Sequence, residues 1–222
     1  MPKRTRISDE LHDYLLQVSL REDPLLAELR AETGAMPHGG MQIAPDQGQL
    51  MALLVRLMGA RRVLEVGTFT GYSALVVAQA LPDAGRITAC DVSERYTAVA
   101  RRYWARAGVA DKIELRLAPA VETLEALMAD GRAGTYDFMF VDADKESYDR
   151  YYELGLGLLR DGGLMAIDNV LWDGAVIDPS RDDADTRAIR ALNAKLHGDP
   201  RIDLSMLTIA DGLTLALKRA CA

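Results

Sequence analysis

Two apolar runs in this chain end in clusters of oxygen-bearing side chains. Phe138-Met139-Phe140-Val141 runs into Asp142-Ala143-Asp144-Lys145, and Leu164-Met165-Ala166-Ile167 runs into Asp168-Asn169. If both runs are strands of one parallel sheet, Asp142, Asp168 and Asn169 emerge at the same edge, within roughly 5–10 Å of each other. Two carboxylates that close repel unless a cation lies between them. An all-oxygen donor set suits Mg²⁺, Mn²⁺ or Ca²⁺. The absence of a nearby histidine speaks against zinc. Lys145 follows Asp142 by three residues. Beside a divalent cation its ammonium is disfavoured, so the amine can act as a general base near neutral pH. Each acid taken alone could instead cap a helix.

A second constellation lies upstream. Glu65-Val66-Gly67-Thr68-Phe69-Thr70-Gly71-Tyr72-Ser73 ends one apolar run, and Cys90-Asp91 ends the next. The glycines permit a tight turn and a close approach of backbone to ligand. The spacing of Gly67 and Gly71 is not the dinucleotide fingerprint. A carboxylate at Glu65 would repel a pyrophosphate but suits an ammonium. Asp91 at the next strand end suits ribose hydroxyls. An amino-acid end and a ribose end together describe S-adenosylmethionine (SAM). Either acid alone could equally cap a helix or face solvent.

These residues need a sheet edge to hold them. Short apolar runs at Arg62–Val66, Arg86–Cys90, Ile113–Leu117, Tyr136–Val141 and Leu164–Ile167 alternate with helical segments. Those helices are expected at Tyr72–Ala80, Glu94–Ala107, Val121–Met128 and Tyr148–Leu159. Such alternation predicts an α/β protein with a parallel sheet covered on both faces. Residues 1–60 read as a helical cap: Ser8–Leu20, then Asp23-Pro24 to a left-handed stop at Gly34, then Asp46–Met58 up to Gly59. Residues 61–222 form the core, and the whole is read as one domain. A helix from about Thr186 to Leu196 follows the Asp-rich loop Asp178–Asp185. Ile202–Ile209, the turn Asp211-Gly212 and Leu213–Lys218 then form a hairpin, so the last strand runs antiparallel to its neighbour.

The chain has 222 residues, 26 basic and 33 acidic, for a net charge of -7. That balance argues against nucleic acid as the main partner. The composition excludes collagen-like, disordered and disulfide-scaffold classes. The basic start Met1-Pro2-Lys3-Arg4-Thr5-Arg6 lacks the apolar run of a signal peptide. No window reaches the ~18 apolar residues of a membrane span. Cys90 and Cys221 are far apart and are not expected to pair. A reducing, cytoplasmic setting with no membrane partner is the expectation.

Glu-x-Gly-(x)₃-Gly-Tyr-Ser at Glu65, Val-Asp-Ala-Asp-Lys at Val141 and Asp-Asn-x-Leu-Trp at Asp168 together resemble the cation-dependent, SAM-dependent O-methyltransferases. Catechol and caffeoyl-CoA O-methyltransferases typify that family, and the similarity runs from about Met41 to Lys218. The resemblance implies a class I methyltransferase fold (Rossmann-like), with seven strands and the last antiparallel. It implies cofactor contacts from Ile43, Glu65, Gly67, Thr68, Ser73, Asp91, Ala120 and Asp144. It likewise implies a magnesium-type cation on Asp142, Asp168 and Asn169, with Lys145 as catalytic base, and a homodimer. Some positions depart from the plant pattern. Ile43 replaces a small hydroxyl residue, Ala118-Pro119-Ala120 replaces Gly-Pro-Ala, and Asp173 replaces a substrate-contacting Asn. The segment from Trp172 to Asp199 is also shorter. These departures favour a free catechol-like phenol, with vicinal hydroxyls, over a CoA ester.

Three other readings use the same residues: a nicotinamide-dependent oxidoreductase, a non-catalytic SAM-binding protein, and an RNA methyltransferase. His12, His38 and His197 form no cluster, although His38 lies in a glycine-rich loop that could reach the site. Trp172 either walls an acceptor pocket or packs in the core. Tyr148, Tyr151 and Tyr152 are expected to pack.

Overall fold

The computed structural model describes Thr5 and residues 7–220. The rest of the basic N-terminal stretch and Cys221 lie outside these residues. Helices are α1 (Asp9–Ser19), α2 (Pro24–Gly34), α3 (Pro45–Leu57), α4 (Tyr72–Ala80), α5 (Glu94–Arg106), α6 (Ala120–Ala129), α7 (Tyr148–Leu158) and α8 (Ala184–Gly198). Strands are β1 (Arg62–Val66), β2 (Arg86–Asp91), β3 (Ile113–Leu117), β4 (Tyr136–Val141), β5 (Leu159–Ile167), β6 (Ile202–Leu207) and β7 (Leu213–Lys218). They form one seven-stranded sheet in the order β3-β2-β1-β4-β5-β7-β6. β1 to β5 are mutually parallel, and β7 runs antiparallel to both β5 and β6. The expected hairpin is therefore present.

The strands alternate as a pleated sheet must. Val63, Phe138 and Phe140 join the apolar cluster under α2, α3, α4 and α5. Leu64, Val66, Met139 and Val141 join the one under α6, α7 and α8. Strand order reverses between β1 and β4, which is where open α/β sheets bind ligands. At that point Val66 pairs with Val141, and Val141 with Ile167. Gly67, Asp142 and Asp168 thus form the next rank across three strands.

Local chemistry explains four of the eight α-helix starts among the described residues. Ser8, Asp23, Ser93 and Asp183 cap α1, α2, α5 and α8 through their side-chain oxygens. Asp183 draws the start of α8 back to Ala184, two residues before the expected position. The left-handed stop expected at Gly34 is not used, because α2 ends at Ala35 in a right-handed conformation. β5 begins at Leu159 rather than Leu164, and α7 is correspondingly shorter. Its register jumps from Tyr136–Leu159 to Phe138–Leu164, leaving Arg160–Gly163 as a bulge with Gly162 at φ +71°. β3 is a half-exposed edge strand and not a buried apolar run, since it pairs only with β2. β6 ends at Leu207, short of the expected Ile209.

The cap is bolted to the core by polar contacts. Glu22, just before α2, takes two hydrogen bonds from Arg30 and one from the Tyr72 hydroxyl at 2.6 Å. Glu28 pairs with Arg106, and Glu32 accepts from the Tyr103 hydroxyl. The Thr33 hydroxyl donates to Thr70 at 2.9 Å, in the turn after β1. α1, by contrast, buries no residue.

Gly67 is indispensable to this arrangement. It sits at φ +90°, and a Cβ there would lie 1.8 Å from the Asp142 carbonyl oxygen. Gly67→Ala is expected to lower stability in urea unfolding by at least ~2 kcal/mol. Gly131→Ala, also at positive φ but with open space around the added Cβ, should lose only about 1 kcal/mol. Equal losses would show that the close approach is not what restricts position 67.

Candidate active site

A cavity of about 1060 Å³ opens at the carboxyl ends of the strands. Its lining includes every expected site residue except Glu65: Ile43, Gly67, Thr68, Ser73, Asp91, Ala120, Asp142, Asp144, Lys145, Asp168 and Asn169. Residues 40–44 before α3 share the lining with Trp172 and Asp211. Lys145 is its only basic lining residue among the described residues.

Glu65 lies beneath the lining, on the sheet face that α4 covers, with a relative exposure of 1%. Burial pushes its carboxyl up to about 8; Ser73 and Thr68 hydroxyls pull the other way, and the charges of Asp91 and Asp142 add to the rise. Its Oε1 has no hydrogen-bond partner. A buried carboxylate with a free oxygen is a binding group for a cation or a donor. Asp91 is already committed in part. Its Oδ2 accepts from the amides of Thr68 and Phe69 at 3.0 and 2.7 Å, and its Oδ1 from Ser93 N at 2.7 Å. It therefore shapes the glycine turn, while its remaining lone pairs stay available. The Trp104 indole holds the same turn by donating to the Gly71 carbonyl at 3.1 Å.

The acidic cluster assembles as the strand ends imply. Lys145 is 7% exposed and its Nζ donates to Asp142 Oδ1 (3.1 Å), Asn169 Oδ1 (2.6 Å) and the Tyr148 hydroxyl (2.6 Å). Tyr148 in turn donates to the Asp168 carbonyl at 3.2 Å. Asn169 holds a left-handed φ of 56°, which turns its amide back to the cluster. Burial, and then the charge of Asp142, pushes Asp168 up to about 7. Burial also raises Asp142, against the pull of Lys145. A carboxylate oxygen of Asp142 and an amide oxygen of Asn169, from the ends of two strands, thus converge on Lys145 Nζ beside the second carboxyl group, Asp168. That donor chemistry fits a hard divalent cation. Among the described residues no group of three or more His, Cys, Asp or Glu side chains is set to hold a metal; the third donor here is an amide oxygen.

Trp172 lines the cavity, with its ring 5.6 Å from Lys145 Nζ. His38 is exposed in a left-handed turn and is not among the lining residues. His12 and His197 lie in α1 and α8, away from that lining. Cys90 is free and buried, and burial pushes its thiol up to about 12. Tyr148, Tyr151 and Tyr152 pack as expected, but each hydroxyl also holds a partner: Lys145, Asp144 and Asp199 respectively. Sequence reasoning missed those bonds and also Gln47, whose Nε2 donates to Asp168 Oδ2 at 2.9 Å. No spacing signal ties residues 121 positions apart.

The raised Glu65 predicts a pH-dependent cost. Its carboxyl binds protons more tightly when folded, so the stability it contributes is full below about 4.5 and is lost as pH climbs through about 8. The loss across that window is on the order of 4 kcal/mol. Without ligand, Glu65→Gln should therefore melt progressively above wild type between pH 5 and 8.5. A melting difference that does not change with pH would contradict the buried-carboxyl reading.

Comparison with known proteins supplies the class. The family model described as O-methyltransferase matches residues 16–219. The mouse protein "Catechol O-methyltransferase domain-containing protein 1" is 46% identical over 208 residues, covering 94% of this chain and 79% of that protein. The caffeoyl-CoA O-methyltransferase of Eucalyptus gunnii is 41% identical, covering 94% of this chain and 87% of its own length. The crystal structure of the O-methyltransferase TomG from Streptomyces achromogenes, in complex with SAM, superposes with a TM-score of 0.85. It is 32% identical, and the match covers 95% of this chain and 96% of TomG. With that fold and a cavity built at the same sheet edge, the chain belongs to the O-methyltransferase family and is a SAM-dependent O-methyltransferase of the catechol and caffeoyl-CoA type.

Proposed function

We propose that this enzyme methylates one hydroxyl of a small vicinal-dihydroxy phenol, with a divalent cation held by Asp142, Asp168 and Asn169. The observation that carries this reading is the convergence of Asp142 Oδ1 and Asn169 Oδ1 on a single nitrogen, Lys145 Nζ. A cation bound there would supply Lewis-acid stabilisation of a phenolate, whose parent hydroxyl has a pKa of ~10 like tyrosine's. Adjacent hydroxyls suit such a site because they chelate.

On the donor side, Glu65 meets the ammonium of SAM, and Asp91 the ribose. Gly67, Thr68 and Ser73 form the turn around the amino-acid end, and Ile43, Ala120 and Asp144 complete the wall. Tyr151 steadies Asp144 through its hydroxyl. At the acceptor, Lys145 takes the hydroxyl proton onto Nζ. The phenolic oxygen then bonds to the methyl carbon as its bond to sulfur breaks, releasing S-adenosylhomocysteine. Because Tyr148 gives its own proton to the Asp168 carbonyl, it stays an acceptor for Lys145 N–H throughout. That keeps the amine aimed while its charge changes. Positioning accounts for the remaining acceleration, for which oriented reactants can supply ~7–11 kcal/mol.

The charge of the cavity supports a free phenol. Asp185 and Asp211 join the site carboxylates in its lining, and Lys145 is the sole basic lining residue among those described. A thioester bearing several phosphates would meet net repulsion there.

Release of S-adenosylhomocysteine from SAM with a pool of catechols, in Mg²⁺ and in EDTA, tests the reading. Turnover should vanish in EDTA and in Asp142→Ala; activity persisting in either would sink the cation assignment. Caffeoyl-CoA should react more slowly than free catechols. Lys145→Ala should lower kcat by ~10²–10⁴ while SAM affinity holds. A parallel loss of SAM affinity would count against the base role.

A further inference from the structure

We propose that Gln47 is a positioning residue for the cation site, fixing Asp168 from the N-terminal cap. The inference rests on the proposed cation site and adds a residue outside its ligand set. Gln47 lies in the first turn of α3 and is 0% exposed. Its Nε2 donates to Asp168 Oδ2 at 2.9 Å, while Asn169 N donates to Asp168 Oδ1 at 2.7 Å. Asp168 is therefore gripped at both oxygens, and its carboxylate plane is set. Among the described residues Gln47 supplies the only side-chain hydrogen bond that this carboxylate receives.

The amide's orientation is not arbitrary. A carboxylate only accepts, so the NH₂ group must face Asp168. The consequence is a buried Oε1 with no partner. An apolar side chain of the same shape would avoid that cost, so the bond to Asp168 is what the amide adds. α3 is also a firm base. Met51 and Val55 are buried in the core, and Gly48 packs so closely on α4 that a Cβ would lie 3.0 Å from the Tyr72 ring. Groups that orient a metal's ligands commonly change affinity 10–100-fold when removed.

Gln47→Met keeps the shape and removes the donor. Mn²⁺ binding measured by titration calorimetry, with S-adenosylhomocysteine present, should weaken at least ~10-fold. The affinity for S-adenosylhomocysteine without metal should stay within about twofold of wild type, and melting in EDTA should not fall, as expected for a group acting only through Asp168. Gln47→Asn, which keeps the amide but shortens its reach, is the second variant should the first misfold. It should lose Mn²⁺ affinity in the same direction. Wild-type Mn²⁺ affinity in either folded variant would overturn the role of Gln47 alone. Failure of wild type itself to bind Mn²⁺ would overturn the cation site and this inference with it.

Discussion

The register of three parallel strands is the constraint on which this site depends. Val66, Val141 and Ile167 pair across β1, β4 and β5, so Gly67, Asp142 and Asp168 leave the sheet side by side. The hydrogen bonds that continue the ladder tie these residues directly: Asp142 N to the Val66 carbonyl at 2.8 Å, and Asp168 N to the Val141 carbonyl at 3.0 Å. A one-residue slip would turn every alternate side chain to the other face. It would bury Asp142 under a helix and break the rank. The apolar alternation of β1 and β4 therefore secures the chemistry as well as the core.

At and beneath that rank the protein buries carboxyl groups at an energetic cost. Glu65, Asp142 and Asp168 are each raised above the ordinary carboxylate range, with burial the leading cause. Lys145 answers part of it. A fold selected only for stability would replace such groups with apolar ones. Their presence at the switch point suits the sulfonium-bearing amino acid that this enzyme class uses, and the cation proposed above.

The cap contributes more than a lid. Its α2 is anchored through Glu22, Glu28, Glu32 and Thr33, and its α3 through apolar packing. Only with both docked do Ile43 and Gln47 reach the cavity. The same docking explains why α1, which buries nothing, contributes no side chain to the cavity lining.

Much was legible in the chain itself, because strand-end residues are local. An apolar run of strand length followed by Asp or Gly places that residue at a sheet edge whatever the rest does. The places of Gly67, Asp91, Asp142, Asp168 and Asn169 could thus be read from runs and breaks, whereas Glu65 lies one residue inside the end of β1 and beneath the lining. Boundaries failed where tertiary pairing overrode local pattern: the bulge that starts β5 at Leu159, the exposure of β3 as an edge, and the unused stop at Gly34. Contacts between distant segments were not legible at all. Gln47 and Asp168, or Tyr148 and the Asp168 carbonyl, meet only after strand order and helix docking are set. Which residues stand at the functional edge follows from local pattern, since period-two burial is a short-range property. Which of them touch, and which buried oxygen is left without a partner, was decided by the tertiary structure, because hydrogen bonds across an interior depend on packing that no local pattern encodes.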